Sequence, residues 1–381
     1  MEELEASRVG HFFRSVTERF PAAPDTASIV VTHLVDGRPI FLSAAARATD
    51  LRAILPKPRS VQADVLTPAE KVATCDPLSR ADFSDPGFVL EYLENRAPGR
   101  NLVIADVGGY FAPALGRIAK EYSGRIVAVV EDTENGHQRY AALDDQPVPV
   151  FSVARSPLKV AEDYLVGHSV IFSVEALIRG HGDIMSCRRA CVIGFGKIGS
   201  SAASLLRAKG LPVVVFDADP VKRTQALSMG YQVAGMLAEA TAGAGIVIGA
   251  TGNVSLSAAD FSRLANGAYV ASVTSSDDEM DLDSVADLYR RTRVAPHVTR
   301  YDTTGHYFYL LADGNAVNFV HGASAGSFIY LVQAEILADI GLAAKGSYAS
   351  GMHEADPQTR MFIADSWLTT FTQEHPHAHH R

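Results

Sequence analysis

The stretch VIGFGKIGS, followed by a hydrophobic run that ends VVVFDADP, constrains this chain more than any other part of it. Cys191-Val192-Ile193 is short and apolar, as a buried strand requires. Gly194, Gly196 and Gly199 then supply a G-x-G-x-x-G turn, and Ser200 to Ala208 continues as a helix. Val213 to Phe216 reads as a second strand, closed by Asp217. The first glycine allows the tight turn, the second lets the backbone approach a pyrophosphate, and the third lets helix pack on strand. The helix N-terminus turns free N–H groups and the positive end of its dipole toward phosphates. Asp217, about 20 residues on, stands where a carboxylate takes the adenosine ribose hydroxyls. The pattern predicts a bound NAD, with Lys197 and Ile198 in its phosphate turn. Lys222 and Arg223, just past the acid, leave NADP as the alternative.

With 381 residues the chain exceeds one ordinary core, so two domains are expected. A formal net charge of −9 supplies no basic stripe for phosphate backbones and argues against a nucleic-acid partner. Cys75, Cys187 and Cys191 have no metal-ligand spacing, and their odd number suits a reducing cytoplasm. The start, MEELEASRVGHFF, has no signal-peptide core, and no apolar run reaches the roughly 18 residues of a membrane span. A metal is not expected. The tail histidines His375, His377, His379 and His380 read as a frayed, solvated end.

Along the chain, SIVVTH is a short apolar strand and LPKPRSV a Pro/Arg-rich stretch. From about residue 100, strands and helices alternate: NLVIADVGG, a helix from Pro113 to Tyr122, RIVAVVED, then VPVFSV. A long helix from Ala161 to Arg179 leads into the glycine-rich part, where CVIG, VVVFD, IVIGAT and AYVASVT are strands. The alternation predicts an α/β protein of two doubly wound, Rossmann-like domains. The expected division is residues 1–165 for substrate, 166–322 for NAD, and 323–381 as a helical return to the first domain. The NAD domain is thus inserted between segments of the substrate domain.

These blocks resemble the S-adenosylhomocysteine hydrolase family from about residue 100 onward. The matching blocks are GFGKIG, the acid and D-P of FDADP, Met229-Gly230-Tyr231, Thr251-Gly252, and LLADGNAVN ending at Asn318. The resemblance implies that Thr251, Gly252, Asn253 and Asn135 join the glycine turn in holding NAD, and that Asn318 holds the nicotinamide amide. It also implies a catalytic pair, Lys159 and Asp163, four residues apart and so on one face of a helix. His33, at the end of SIVVTH, corresponds to a histidine that works near the 5′ carbon of the substrate. Asp132 and Thr133, with Asp106, correspond to sugar or base contacts. The implied chemistry is a borrowed oxidation: hydride leaves the 3′ carbon, the ketone acidifies the 4′ hydrogen, and a group is expelled from the 5′ carbon. Lys159 would take the 3′ hydroxyl proton.

The departures from the family pattern cluster. Two family histidines fall here on Ser275 and Ala325, a DDGG acid falls on Val107, and a cysteine falls on His168. The C-terminal lysine and tyrosine that reach a neighbouring subunit's NAD have no counterpart. His168 and His321 are candidates to replace the lost imidazoles in binding substrate. The redox half of the site is therefore kept, and the half that handles the 5′ leaving group is rebuilt. The reading is an NAD-dependent nucleoside lyase that stops at the alkene, a dehydratase such as nucleoside-antibiotic tailoring would use. The alternatives are an S-adenosylhomocysteine hydrolase with a remodelled pocket, a silent NAD-binding paralogue, and, more remotely, a 2-hydroxy-acid dehydrogenase. The apolar helix Phe328–Ile340 needs a covered face, so a homo-oligomer, dimer or tetramer, is expected.

Overall fold

The computed structural model describes residues 3–274, 279–322 and 325–372. Two units divide the chain, Met1–Lys159 with Ser327–Arg381, and Val160–Gly326. The second is inserted into the first. The boundaries fall at 159/160 and 326/327 rather than at 165/166 and 322/323. The reason lies in the helix Val160–Gly180, which packs along the helix Lys197–Ala208: a Cβ on Gly167 would stand 2.5 Å from the Ser201 side chain.

The first unit begins with strands β1 (Thr26–Leu34), β2 (Asp50–Val61), β3 (Asn101–Asp106), β4 (Arg125–Glu131) and β5 (Pro149–Ser152). The second holds β6 (Ala190–Ile193), β7 (Val213–Phe216), β8 (Gln232–Val233), β9 (Ile246–Gly249), β10 (Ala268–Ser272), β11 (Arg290–Ala295), β12 (Val298–Thr303) and β13 (His306–Leu311). The chain then returns to the first unit for β14 (Gly351–His353).

In the first unit the order is β2-β1-β3-β4-β5-β14, with every pair parallel. Connections run outward in both directions from the β1/β3 boundary, so the sheet has its topological switch point there. β1 is buried along almost its whole length, which is why it reads as an unbroken apolar run rather than an alternating one. LPKPRSV, expected only as a Pro/Arg-rich stretch, is the second half of β2. Pro56 and Pro58 are tolerated because β2 lies at the sheet edge, where missing N–H donors leave no ladder bond unmade. The helix expected over 113–122 spans Leu115–Glu121, with Pro113 in the 3₁₀ turn before it.

The second sheet runs β8-β7-β6-β9-β10-β13-β12-β11. Its first six strands are parallel, in the 3-2-1-4-5-6 order of dinucleotide-binding sheets. β12 and β11 extend it antiparallel.

The apolar helix Ile329–Lys345 is buried nearly all round and joins Phe12, Phe13, Phe41 and Ile54 in one core of the first unit. By length and composition alone Gly326–Lys345 is apolar enough to cross a membrane (mean hydropathy 1.4), yet its side chains are spent on this core. The chain covers that helix itself, so the helix supplies no argument for a second copy.

Candidate functional site

In the second unit, the glycine turn leaves the carboxyl end of β6 beside β9, at the switch point of that sheet. Gly194 takes φ +91°, and a Cβ there would sit 2.5 Å from the Ala250 carbonyl. Gly199 is tighter still: a Cβ would stand 2.0 Å from the Gly194 carbonyl oxygen. Gly196, the N-cap of the following helix, has nothing within 4 Å of that point. Close packing therefore demands the outer glycines, while the middle one faces open space, as an approaching pyrophosphate needs. Ile198 packs into the core beneath, and Lys197 Nζ reaches Asp163 Oδ2 at 3.4 Å.

Asp217 is fixed at the end of β7. Its Oδ2 accepts from the Phe195 N–H (2.7 Å) and its Oδ1 from the Asp219 N–H (2.9 Å), and each oxygen keeps a second lone pair for a ribose hydroxyl. Arg223 Nη1 donates to the Asp217 main-chain oxygen at 2.8 Å.

After β9, Gly252 turns at φ +70°, and Thr251 Oγ1 accepts from the Asn253 N–H at 3.0 Å. Asn318, in the 3₁₀ turn Val317–His321, is 4% exposed, and its Oδ1 has no hydrogen-bond partner among the described residues. A buried amide oxygen left in that state costs about 1–3 kcal/mol, and a carboxamide N–H would relieve it. The open glycine, the anchored acid and this orphaned amide fit NAD.

The other second-unit candidates are less committed. His168 lies tilted against Tyr164 (ring centroids 4.4 Å), and exposed His321 meets Phe172 edge-on (5.6 Å). Ser275 lies outside the described residues, as do the tail histidines.

In the first unit, the carboxyl ends of β1, β3 and β4 gather ionisable groups at the switch point. His33, next to last in β1, places Nδ1 2.5 Å from Ser60 Oγ. Burial, then the charges of Lys57, Arg38 and Lys159, hold its imidazole well below the usual histidine range and therefore neutral. Lys159 ends a 3₁₀ turn after β5 and pairs through Nζ with Asp132 Oδ1 at 2.8 Å. Burial pushes Asp132 up, but Lys159, Arg38 and Lys57 outweigh it and keep the carboxyl below its ordinary range.

Thr133 caps the helix Glu134–Ala141: its Oγ1 accepts from the Gly136 N–H at 3.0 Å and donates to Glu131 at 2.8 Å. Asn135 lies in the first turn of that helix, within the first unit. Asp106 is fully enclosed, and its Oδ2 accepts from the Phe111 N–H (3.0 Å) and Tyr140 Oη (2.7 Å).

Reading the sequence missed Arg38, Lys57 and Glu131 here, and Glu279 in the second unit. Arg38 follows a D-G turn and Lys57 sits between two prolines, contexts that signal loop rather than site. Glu131 had a usable signal: an acid closing a parallel strand at its carboxyl end. It accepts from the N–H groups of Gly108 (3.0 Å) and Gly109 (2.9 Å), fixing the turn after β3.

Comparison with known proteins agrees with this layout. Residues 163–325 match the family model for the S-adenosyl-L-homocysteine hydrolase NAD binding domain. An adenosylhomocysteinase of Pyrococcus abyssi is 27% identical over 78% of this chain and 72% of its own length. One of Sulfolobus acidocaldarius is 29% identical over 52% of this chain and 49% of its own. Among solved structures, an NADPH-dependent glyoxylate/hydroxypyruvate reductase of Sinorhizobium meliloti aligns over 86% of this chain and 96% of its own, at 13% identity and a TM-score of 0.45. Residues 163–325 thus match an S-adenosyl-L-homocysteine hydrolase NAD-binding domain, and the chain is similar to adenosylhomocysteinases over most of its length.

Proposed function

We propose that this protein is an NAD-dependent nucleoside lyase that oxidises a ring hydroxyl transiently and eliminates a group, water in the favoured case, from the exocyclic carbon. The observation that carries the reading is the Lys159–Asp132 pair at the first unit's switch point, with a neutral His33 under the same cations. When bound, NAD supplies the hydride acceptor that makes the carbinol a ketone and so acidifies the neighbouring C–H. Lys159, having first given its own proton to solvent, would take the substrate hydroxyl proton as the free amine. Asp132 orients the lysine and accepts from a sugar hydroxyl. Neutral His33, its Nδ1 2.5 Å from Ser60 Oγ, would serve proton transfer near the exocyclic carbon. Asp163, paired with Lys197, serves the same reaction by fixing the start of its helix.

Hydrolysis of adenosylhomocysteine is the second reading, favoured by the names of the two relatives. Ala325, buried where the family resemblance places a histidine, speaks against it. The free thiols of Cys75, Cys187 and Cys191 support a cytoplasmic setting.

A mass-spectrometric screen of purified protein with adenosylhomocysteine and with hydroxymethyl nucleosides separates the readings. Loss of water from a hydroxymethyl nucleoside supports the lyase. Release of homocysteine alone replaces it with the hydrolase. No conversion by NAD-loaded protein leaves a binding paralogue.

A further inference from the structure

Glu279 is fully buried, yet it stands outside every motif that the sequence assigns to the cofactor. Its carboxylate is gripped by the turn after β9. The Gly252 N–H donates to Oε1 at 2.5 Å, Thr251 Oγ1 approaches Oε2 at 3.0 Å, and Ser255 Oγ lies 3.5 Å from Oε2. The same Oε2 would lie 3.0 Å from a Cβ on Gly249, so the last residue of β9 is small where the acid passes. The main chain ties the two segments as well: the Ser255 N–H donates to the Glu279 carbonyl at 2.9 Å, and the Asp281 N–H to the Leu256 carbonyl at 2.9 Å.

A buried carboxylate is a costly way to hold a loop unless the loop must be held in one shape. The loop in question is the Thr251-Gly252-Asn253 turn beside the dinucleotide switch point. We propose that Glu279 is a positioning residue for NAD: it clamps Thr251 and the Gly252 amide so that the turn after β9 stands preformed for the cofactor. Preformation lowers the ordering cost of binding, so the gain appears as NAD affinity.

The groups that face the carboxylate are the Thr251 and Ser255 hydroxyls and the Gly252 amide from the β9 turn, with the Thr274 hydroxyl from beyond β10. None of these is charged. Burial pushes Glu279 up to about 7, against the bonds from Gly252 and Thr251 that favour the ionised form. Protonation near neutrality removes acceptor capacity, so the clamp loosens as pH falls.

The test uses the full-length protein stripped of NAD, with titration of NAD followed by calorimetry. Wild-type affinity should fall as pH drops through about 7. Glu279→Gln, with native circular dichroism, should bind NAD about 10–100-fold more weakly at pH 8, as loss of a charge-assisted bond implies, and its pH dependence should flatten. Wild-type affinity and an unchanged pH profile in Glu279→Gln would overturn the proposal, whatever happens to its melting temperature. If that variant does not fold, the wild-type profile decides: no inflection near neutrality overturns the clamp.

Discussion

Lys159 Nζ lies 2.8 Å from Asp132 Oδ1, so the acid that the sequence assigns to sugar binding is also the ion partner of the proposed base. Both side chains are mostly enclosed, and Arg38 and Lys57 add their charges to the same acid. Removing one partner of such a pair strands the other. Asp132→Asn should cost about 3–5 kcal/mol in a urea titration and leave Lys159 among like charges. Lys159→Ala should lower single-turnover NADH formation by about 10²–10⁴-fold while NAD stays bound. A loss under about tenfold would make Lys159 a bystander.

Cofactor choice rests on Asp217. Its carboxylate is pinned by the Phe195 and Asp219 N–H groups, and Arg223 is spent on the Asp217 carbonyl. Asp217→Ala should weaken NAD by about 10–100-fold and barely change NADP, because a ribose hydroxyl loses a charged acceptor. Comparative titrations with the two dinucleotides check this. A larger loss for NADP would show that the acid has been misassigned.

The carboxyls of Asp106 and Glu131 face each other across paired strands, both fully enclosed. Burial, then the Asp106 charge, pushes Glu131 up to about 8, against bonds from Thr133 and Gly108. An acid raised on folding stabilises the native state fully below its unfolded pKa, and that contribution is lost as pH climbs to the folded value. Thermal stability should therefore decline between about pH 4.5 and 8. Asp106→Asn removes the like charge and should flatten that decline. An equally steep slope in the variant would show that the pair does not control it.

The second unit was the more legible because its function lies in backbone geometry. Gly194, Gly196, Gly199 and Asp217 sit in one short segment whose spacing fixes strand, turn and helix together. The first unit's site is assembled from five separate segments, bearing His33, Arg38, Lys57, Asp132 and Lys159, and no local pattern links them. β2 was illegible for a related reason. Two prolines disqualify a central strand, and only the sheet order, which places β2 at an edge, makes them harmless. The same limit hid Glu279, whose partners Gly252 and Thr251 lie 27 and 28 residues away.

Two glycines of one motif should respond differently to the same methyl group. At Gly199 a Cβ would press to 2.0 Å from the Gly194 carbonyl, so Gly199→Ala must push the helix off its strand. Overpacking of this kind costs about 1–3 kcal/mol or more, and the variant should lose both thermal stability and NAD. At Gly196 nothing lies within 4 Å, and φ of −74° suits alanine. Gly196→Ala should therefore melt within a degree or two of the parent, roughly the ±0.5 kcal/mol of a surface change, yet bind NAD more weakly because the methyl occupies the phosphate approach. Melting curves and NAD titrations on both variants give four readings. If Gly196→Ala keeps full NAD affinity, the pyrophosphate does not pass over this turn, and the glycine spacing serves only to pack helix on sheet.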